Sequence, residues 1–124
     1  MAKILVVEDY ESLQYIYATV LKERGHEVDV VDDGMAALEK TAAADYDLIL
    51  LDLLLPHMSG MEFLHQYNPK NHPKTKIIIC SNFTNPKFIQ EANELGVAHH
   101  LTKSNLSPKE IIAMVDKTLK EPAA

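Results

Sequence analysis

One cysteine, Cys80, occurs in the whole chain, which excludes an intrachain disulfide and every multi-cysteine metal motif. It stands inside an apolar run, where it reads as a small buried hydrophobe rather than a nucleophile. No stretch reaches the ~18 apolar residues that a membrane span needs, and Met1-Ala2-Lys3 leads straight into a strand-like run without a signal-peptide pattern. The expected setting is therefore cytoplasmic and off the membrane. Positive charge is in deficit: 12 Lys and Arg against 18 Asp and Glu leave a net charge of −6. Such a chain repels phosphate backbones, so direct nucleic-acid binding is not expected of it. Internal repeats, low-complexity segments and linkers are missing too. A single domain over residues 1–124 is the expectation, and a globule of that length buries roughly two-thirds of its unfolded surface without staples.

What is present is alternation. Lys3–Val7 is a short apolar run. Residues 10–24 carry Leu13, Ile16, Tyr17, Val20 and Leu21 at helical spacing, and Gly25 follows as a stop. Glu27–Val31 alternates polar and apolar, as a half-exposed strand does, and Asp33 can cap a helix over Gly34–Ala43. A second apolar run spans 47–51. Ser59 with Glu62 then forms a capping box for a short helix bearing Met61, Phe63 and Leu64. After a polar loop over 68–75 comes a third apolar run, 76–80. Asn85-Pro86 opens a helix that Gly96 ends, residues 97–102 make a weaker strand, and Ser107-Pro108 with Glu110 opens the last helix. Strands alternating with helices imply a doubly wound, three-layer α/β fold with a five-stranded parallel sheet. The three continuous apolar runs need burial on both faces. Strands two and five carry Glu27, Asp29, His99 and His100 and belong at the edges, giving the order 2-1-3-4-5.

In such sheets ligands bind beyond the carboxyl ends of the strands. Glu8 and Asp9 follow strand one, Asp52 ends strand three, Ser81 follows strand four and Lys103 follows strand five. Carboxylates crowded this way repel unless a cation lies between them, and a pure oxygen donor set favours a hard one, Mg²⁺. Asp52 could then attack phosphorus and form an aspartyl phosphate. Lys103 would spread positive charge over the phosphoryl oxygens, and Ser81 would donate to the product.

Together these residues resemble the receiver domain of two-component response regulators, in its chemotaxis-regulator-like, flavodoxin-like form, from Lys3 to about Lys120. The motifs are V-V-E-D at 6–9, L-L-D-L-L-L-P-H-M-S-G at 50–60, I-I-C-S-N at 78–82 and L-T-K-S at 101–104. The resemblance implies that Asp52 is the phospho-acceptor, Asp9 a direct Mg²⁺ ligand, Glu8 a ligand through water and the Leu54 backbone carbonyl a third protein ligand. It implies that Ser81 is the switch hydroxyl, Lys103 the phosphate-binding lysine, and Pro56 and Gly60 the residues shaping the loop after the acceptor. Its partners would be a histidine kinase or histidine phosphotransfer protein and a downstream protein target. Output would pass through helix four, strand five and helix five, a face that could also form a homodimer, since no effector domain is expected after Lys120.

Three positions depart from the family pattern, and two more bear on the lifetime of the phosphoryl group. Ser104 stands where proline usually follows the lysine, and a trans peptide is expected before it. His100 replaces the usual aromatic switch residue. Asn82 occupies a position usually held by a small residue, which predicts narrower access to the phosphate. Leu54 and Phe83 flank the path of the hydrolytic water and cannot orient it, which predicts slow autodephosphorylation.

Blander roles compete at each position. Asp52 could cap a loop, and Glu8 or Asp9 could cap the first helix. His26, His57, His65 and His72 read as solvated, Met58 and Met61 as packing residues, and Phe83 and Phe88 as anchors of helix four. Adjacent His99 and His100 point to opposite faces and cannot share an ion. A degenerate receiver that binds partners constitutively is the main functional alternative. A phosphatase would want an acid at position 54, and a flavin phosphate would be repelled by the acidic turn at 8–11.

Overall fold

The three uninterrupted apolar runs form the middle of one sheet in the computed structural model, which describes residues 1–82 and 85–122. In chain order the elements are β1 (Lys3–Val7), α1 (Glu11–Glu23), β2 (Glu27–Val31), α2 (Gly34–Ala43), β3 (Leu48–Leu51) and α3 (Gly60–Tyr67). A 3₁₀ turn (Pro69–Asn71) leads to β4 (Lys76–Ser81), α4 (Pro86–Leu95) and β5 (His99–Thr102). A second 3₁₀ turn (Lys103–Asn105) precedes α5 (Pro108–Lys120). The strands lie parallel in the order β2-β1-β3-β4-β5, with the two polar strands at the edges as their composition requires. Among the described residues no helix is long and apolar enough to cross a membrane.

Strand periodicity divides the core in two. Leu5, Val7, Ile49, Leu51, Ile77 and Ile79 face Ala37, Phe63, Leu64 and Ala92 of α2, α3 and α4. Ile4, Val6, Leu48, Leu50, Ile78 and Cys80 face Tyr17, Leu21, Ile111 and Val115 of α1 and α5. Ile16, expected on the buried stripe of α1, is exposed instead. Cys80 is buried, and burial pushes its thiol up, so it stays protonated against the Tyr17 hydroxyl at 3.6 Å.

The caps form where the sequence puts them. Asp33 accepts from the Ala36 N–H, Asn85 from the Lys87 N–H, and Ser107 and Glu110 bond reciprocally. The Ser59 cap is one-sided: its hydroxyl accepts from the Glu62 N–H and donates to the Glu62 carboxylate at 3.4 Å. Strand β5 starts at His99 rather than at Val97, because the Val97 N–H is used on Ala92 O in closing α4 at Gly96 (φ 103°). The loop at 68–75 gains its 3₁₀ turn after Asn68 adopts φ 53°.

The four histidines expected in solvent all have partners. His26 Nδ1 accepts from the Ala2 N–H, and His57 meets Asp33 at 2.7 Å. His65 meets Glu91, and His72 stacks on Tyr67. The His26, His57 and His65 contacts join segments distant in sequence, which local pattern does not encode, while His72 lies only five residues from Tyr67.

Candidate functional site

Backbone bonding carries the sheet one residue past the ends of β1 and β3, and that extension fixes two acids. The Glu8 N–H donates to Val31 O and the Asp52 N–H to Val7 O, both at 3.0 Å. The two residues are 1 % and 6 % exposed. Glycine is required nearby: a Cβ on Gly60 would lie 2.4 Å from the Asp52 carbonyl oxygen, so the start of α3 closes directly on the acceptor strand. The Gly60 N–H bonds Leu53 O and holds that closure.

Lys103 joins the two acids. Its Nζ lies 2.5 Å from Glu8 Oε1 and 2.8 Å from Asp52 Oδ2. Glu8 Oε2 accepts from the Tyr10 N–H, and the Gln14 amide donates to the Glu8 carbonyl. Asp52 Oδ1 has a long 3.4 Å contact with the Leu54 N–H. Burial pushes the Glu8 carboxyl up, and its bonds to Lys103 and Tyr10 offset only part of that. Burial pulls the Lys103 ammonium down, but the bonds to Asp52 and Glu8 outweigh it and leave the group raised.

Asp9 is exposed, and one oxygen each from Glu8, Asp9 and Asp52 falls within 4.8 Å of the others. Three carboxylates against one ammonium leave excess negative charge, and the donor set holds no sulfur or imidazole. These residues fit a hard divalent cation, with the exposed Asp9 side open to water ligands.

Ser81 is fully buried at the end of β4, paired in register with Thr102. Leu54 is 59 % exposed. Phe83, the other residue expected beside the water path, lies outside the described residues. The expected capping of α1 by Glu8 or Asp9 does not form: Tyr10 is the cap residue and no side chain caps it. Glu8 reaches only the Tyr10 N–H, because its other oxygen is taken by Lys103. Among the described residues no peptide bond is cis, so the bond before Ser104 is trans as expected. Asn82 is exposed and its side chain bonds the Ser104 N–H. Gln14 was not legible as a site residue, since nothing in its spacing marks contact with the Glu8 carbonyl.

His100 pairs in register with Ile79, on the α4 side of the sheet. Its Nε2 is buried and, among the described residues, has no hydrogen-bond partner. Burial holds the imidazole below its ordinary 6.5. The unfolded chain therefore protonates first on acidification. Stability present above about pH 6.5 is lost as pH falls toward the depressed folded value. His100→Phe is expected to gain about 1 kcal/mol at neutral pH by removing the orphaned nitrogen, and more in acid. Thermal melts of both proteins near neutrality and at about pH 5.5 check this, and an identical pH response in both would refute it.

Comparison with known proteins agrees with the geometry. Residues 4–116 match the response regulator receiver domain family. The sensory transduction protein RegX3 of Mycobacterium bovis is 35 % identical over 120 residues, covering 97 % of this chain and 52 % of that protein. The response regulator ArlR of Staphylococcus saprophyticus is 42 % identical over 81 residues, 65 % of this chain and 36 % of that one. The chain thus spans about half the length, or less, of these curated relatives. Among solved structures, the chemotaxis protein CheY4 of Vibrio cholerae superimposes with a TM-score of 0.85 at 30 % identity, covering 95 % of this chain and 98 % of that one. A receiver domain from Methanospirillum hungatei gives a TM-score of 0.90 at 23 % identity, covering 96 % and 94 %, and supports the fold alone. With this fold, this acidic strand-end cluster and this match over most of its length, the chain belongs to the response regulator receiver domain family.

Proposed function

We propose that this domain is a phosphorylation switch of a two-component relay, in which Asp52 accepts a phosphoryl group from a histidine kinase or histidine phosphotransfer protein. The observation that carries the proposal is the Asp52 carboxylate itself. It is almost wholly buried, its Oδ2 is held by Lys103, and among the described residues its Oδ1 has only a long contact with the Leu54 N–H. Oδ1 is the oxygen left to attack phosphorus. An O–P bond forms as the P–N bond of the donor phosphohistidine breaks, and the electron pair leaves with the imidazole. Lys103 donates to the phosphoryl oxygens as charge moves onto them. Ser81 bonds the product from the end of β4.

Glu8, Asp9, Asp52 and the Leu54 carbonyl would hold Mg²⁺, which when bound neutralises charge on the transferring phosphoryl group. Chemistry stops at Asp52 itself, through self-directed transfer and autodephosphorylation, with no metabolic substrate. Output runs to a protein target through α4, β5 and α5, with Ser81 and His100 as the moving elements, and that face is also where a homodimer would form. The proposed setting is the cytoplasm.

The test is intact mass after incubation with a small phosphodonor, with and without Mg²⁺. One phosphoryl adduct that needs Mg²⁺ is expected. Melting is expected to rise with Mg²⁺, by about 2.7 kcal/mol at a hundredfold excess over its dissociation constant. A folded protein that takes neither phosphoryl group nor Mg²⁺ would overturn the proposal.

A further inference from the structure

We propose that Asn82 is a positioning residue for Lys103, acting through a hydrogen bond that two unusual residues of this chain build between them. The proposal rests on the phosphotransfer reading for its consequence, though not for the contact.

The Ser104 N–H donates to Asn82 Oδ1 at 2.8 Å, across 22 residues of sequence. The ladder between β4 and β5 ends one step earlier, at the Ser81–Thr102 pair. Lys103 is therefore bracketed. Its preceding residue is tied to β4 by the sheet and its following residue by the Asn82 side chain. Between the ties it begins a 3₁₀ turn of three residues, whose own closing bond, from the Leu106 N–H to Lys103 O, is long at 3.3 Å. From that turn its ammonium reaches both Asp52 and Glu8.

The chemistry explains why both residues are unusual at once. Proline at position 104 would have no N–H to give, and a small side chain at position 82 would have no oxygen to accept it. Each departure supplies half of one bond. Asn82 is thus turned toward the turn that carries Lys103. Both residues are exposed, so the bond adds little to global stability and its effect is local. An error of about 1 Å in a group that stabilises transferring charge can cost about a hundredfold in rate.

Two readouts test this on the whole chain. The first is the rate at which a water-soluble amine reagent labels Lys103, measured by peptide mass with the other lysines as internal standard. Asn82→Ala is expected to raise it about tenfold with little change in melting, and Asn82→Asp, which keeps an accepting oxygen, is expected to restore protection. The second is the rate of adduct formation with a small phosphodonor. Asn82→Ala is expected to lower it about tenfold in the wild-type background and to have no further effect in a Lys103→Met background. Unchanged labelling of Lys103 would overturn the tie. Raised labelling with an unchanged adduct rate, or additive effects of the two substitutions, would overturn the positioning role. A wild type that forms no adduct while Asn82→Ala still raises labelling would instead overturn the phosphotransfer reading and leave the tie standing.

Discussion

Asp52→Asn is expected to abolish the phosphoryl adduct while leaving a folded protein. The substitution keeps the side chain's shape, and the backbone bond from residue 52 to Val7 O is untouched by it. An amide oxygen carries no charge to drive attack on phosphorus, so the loss should be complete rather than partial. One repulsive partner of Glu8 disappears, and one attractive partner of Lys103 disappears with it, so melting without Mg²⁺ should stay near wild type. The response to Mg²⁺ should shrink, because one of the three clustered carboxylates no longer offers charge. Intact mass and melts with and without Mg²⁺ read both effects from one preparation. An adduct that survives the substitution would move the acceptor away from Asp52.

Lys103→Met is the second large effect, and it divides stability from chemistry. Lys103 is the cation in contact with both Glu8 and Asp52, and its side chain is only 13 % exposed. Removing one partner of a buried ionic group leaves uncompensated charge, a loss of about 3–5 kcal/mol. Glu8 can relieve part of this by taking a proton, so about 3 kcal/mol is expected at neutral pH. The pH dependence follows from that relief. Burial already raises Glu8 above its ordinary 4.5, and losing Lys103 raises it further. A group raised on folding contributes stability that is fully present below its unfolded value and lost as pH rises through its folded value. Going from neutral pH to mild acid, the variant should therefore gain stability relative to wild type. Mg²⁺ should restore part of the loss, since a divalent cation can take over the neutralising role. Adduct formation should fall about 10²–10³-fold, the usual effect of removing one group that stabilises charge in transfer. A variant as stable as wild type, with no added response to acid or Mg²⁺, would show that the carboxylates do not depend on this ammonium.

Several features of this molecule are local properties of its sequence. The runs at 4–7, 48–51 and 77–80 can be buried on both faces only in the middle of a parallel sheet, while Glu27, Asp29, His99 and His100 keep β2 and β5 at its edges. The ends of those strands then set where Glu8, Asp9, Asp52, Ser81 and Lys103 emerge, so their gathering on one edge follows from topology. Asp33, Asn85 and Ser107 cap helices through bonds to residues two or three positions on, which are likewise written in the chain.

Other features exist only once distant segments meet. Val97 was expected in a strand, but its N–H closes α4, a choice made by the glycine turn before it. His57 and His65 find carboxylates 24 and 26 residues away, which spacing could not foretell. The same holds inside the site. The sequence by itself determined which acids, hydroxyl and lysine reach this edge, because backbone periodicity and strand ends are short-range properties. Tertiary structure alone decided that Lys103 bridges Glu8 and Asp52, that Gln14 holds the Glu8 carbonyl and that Asn82 reaches Ser104. Those bonds depend on where side-chain atoms stand after packing, to within a fraction of an ångström, and no pattern along the chain carries that information.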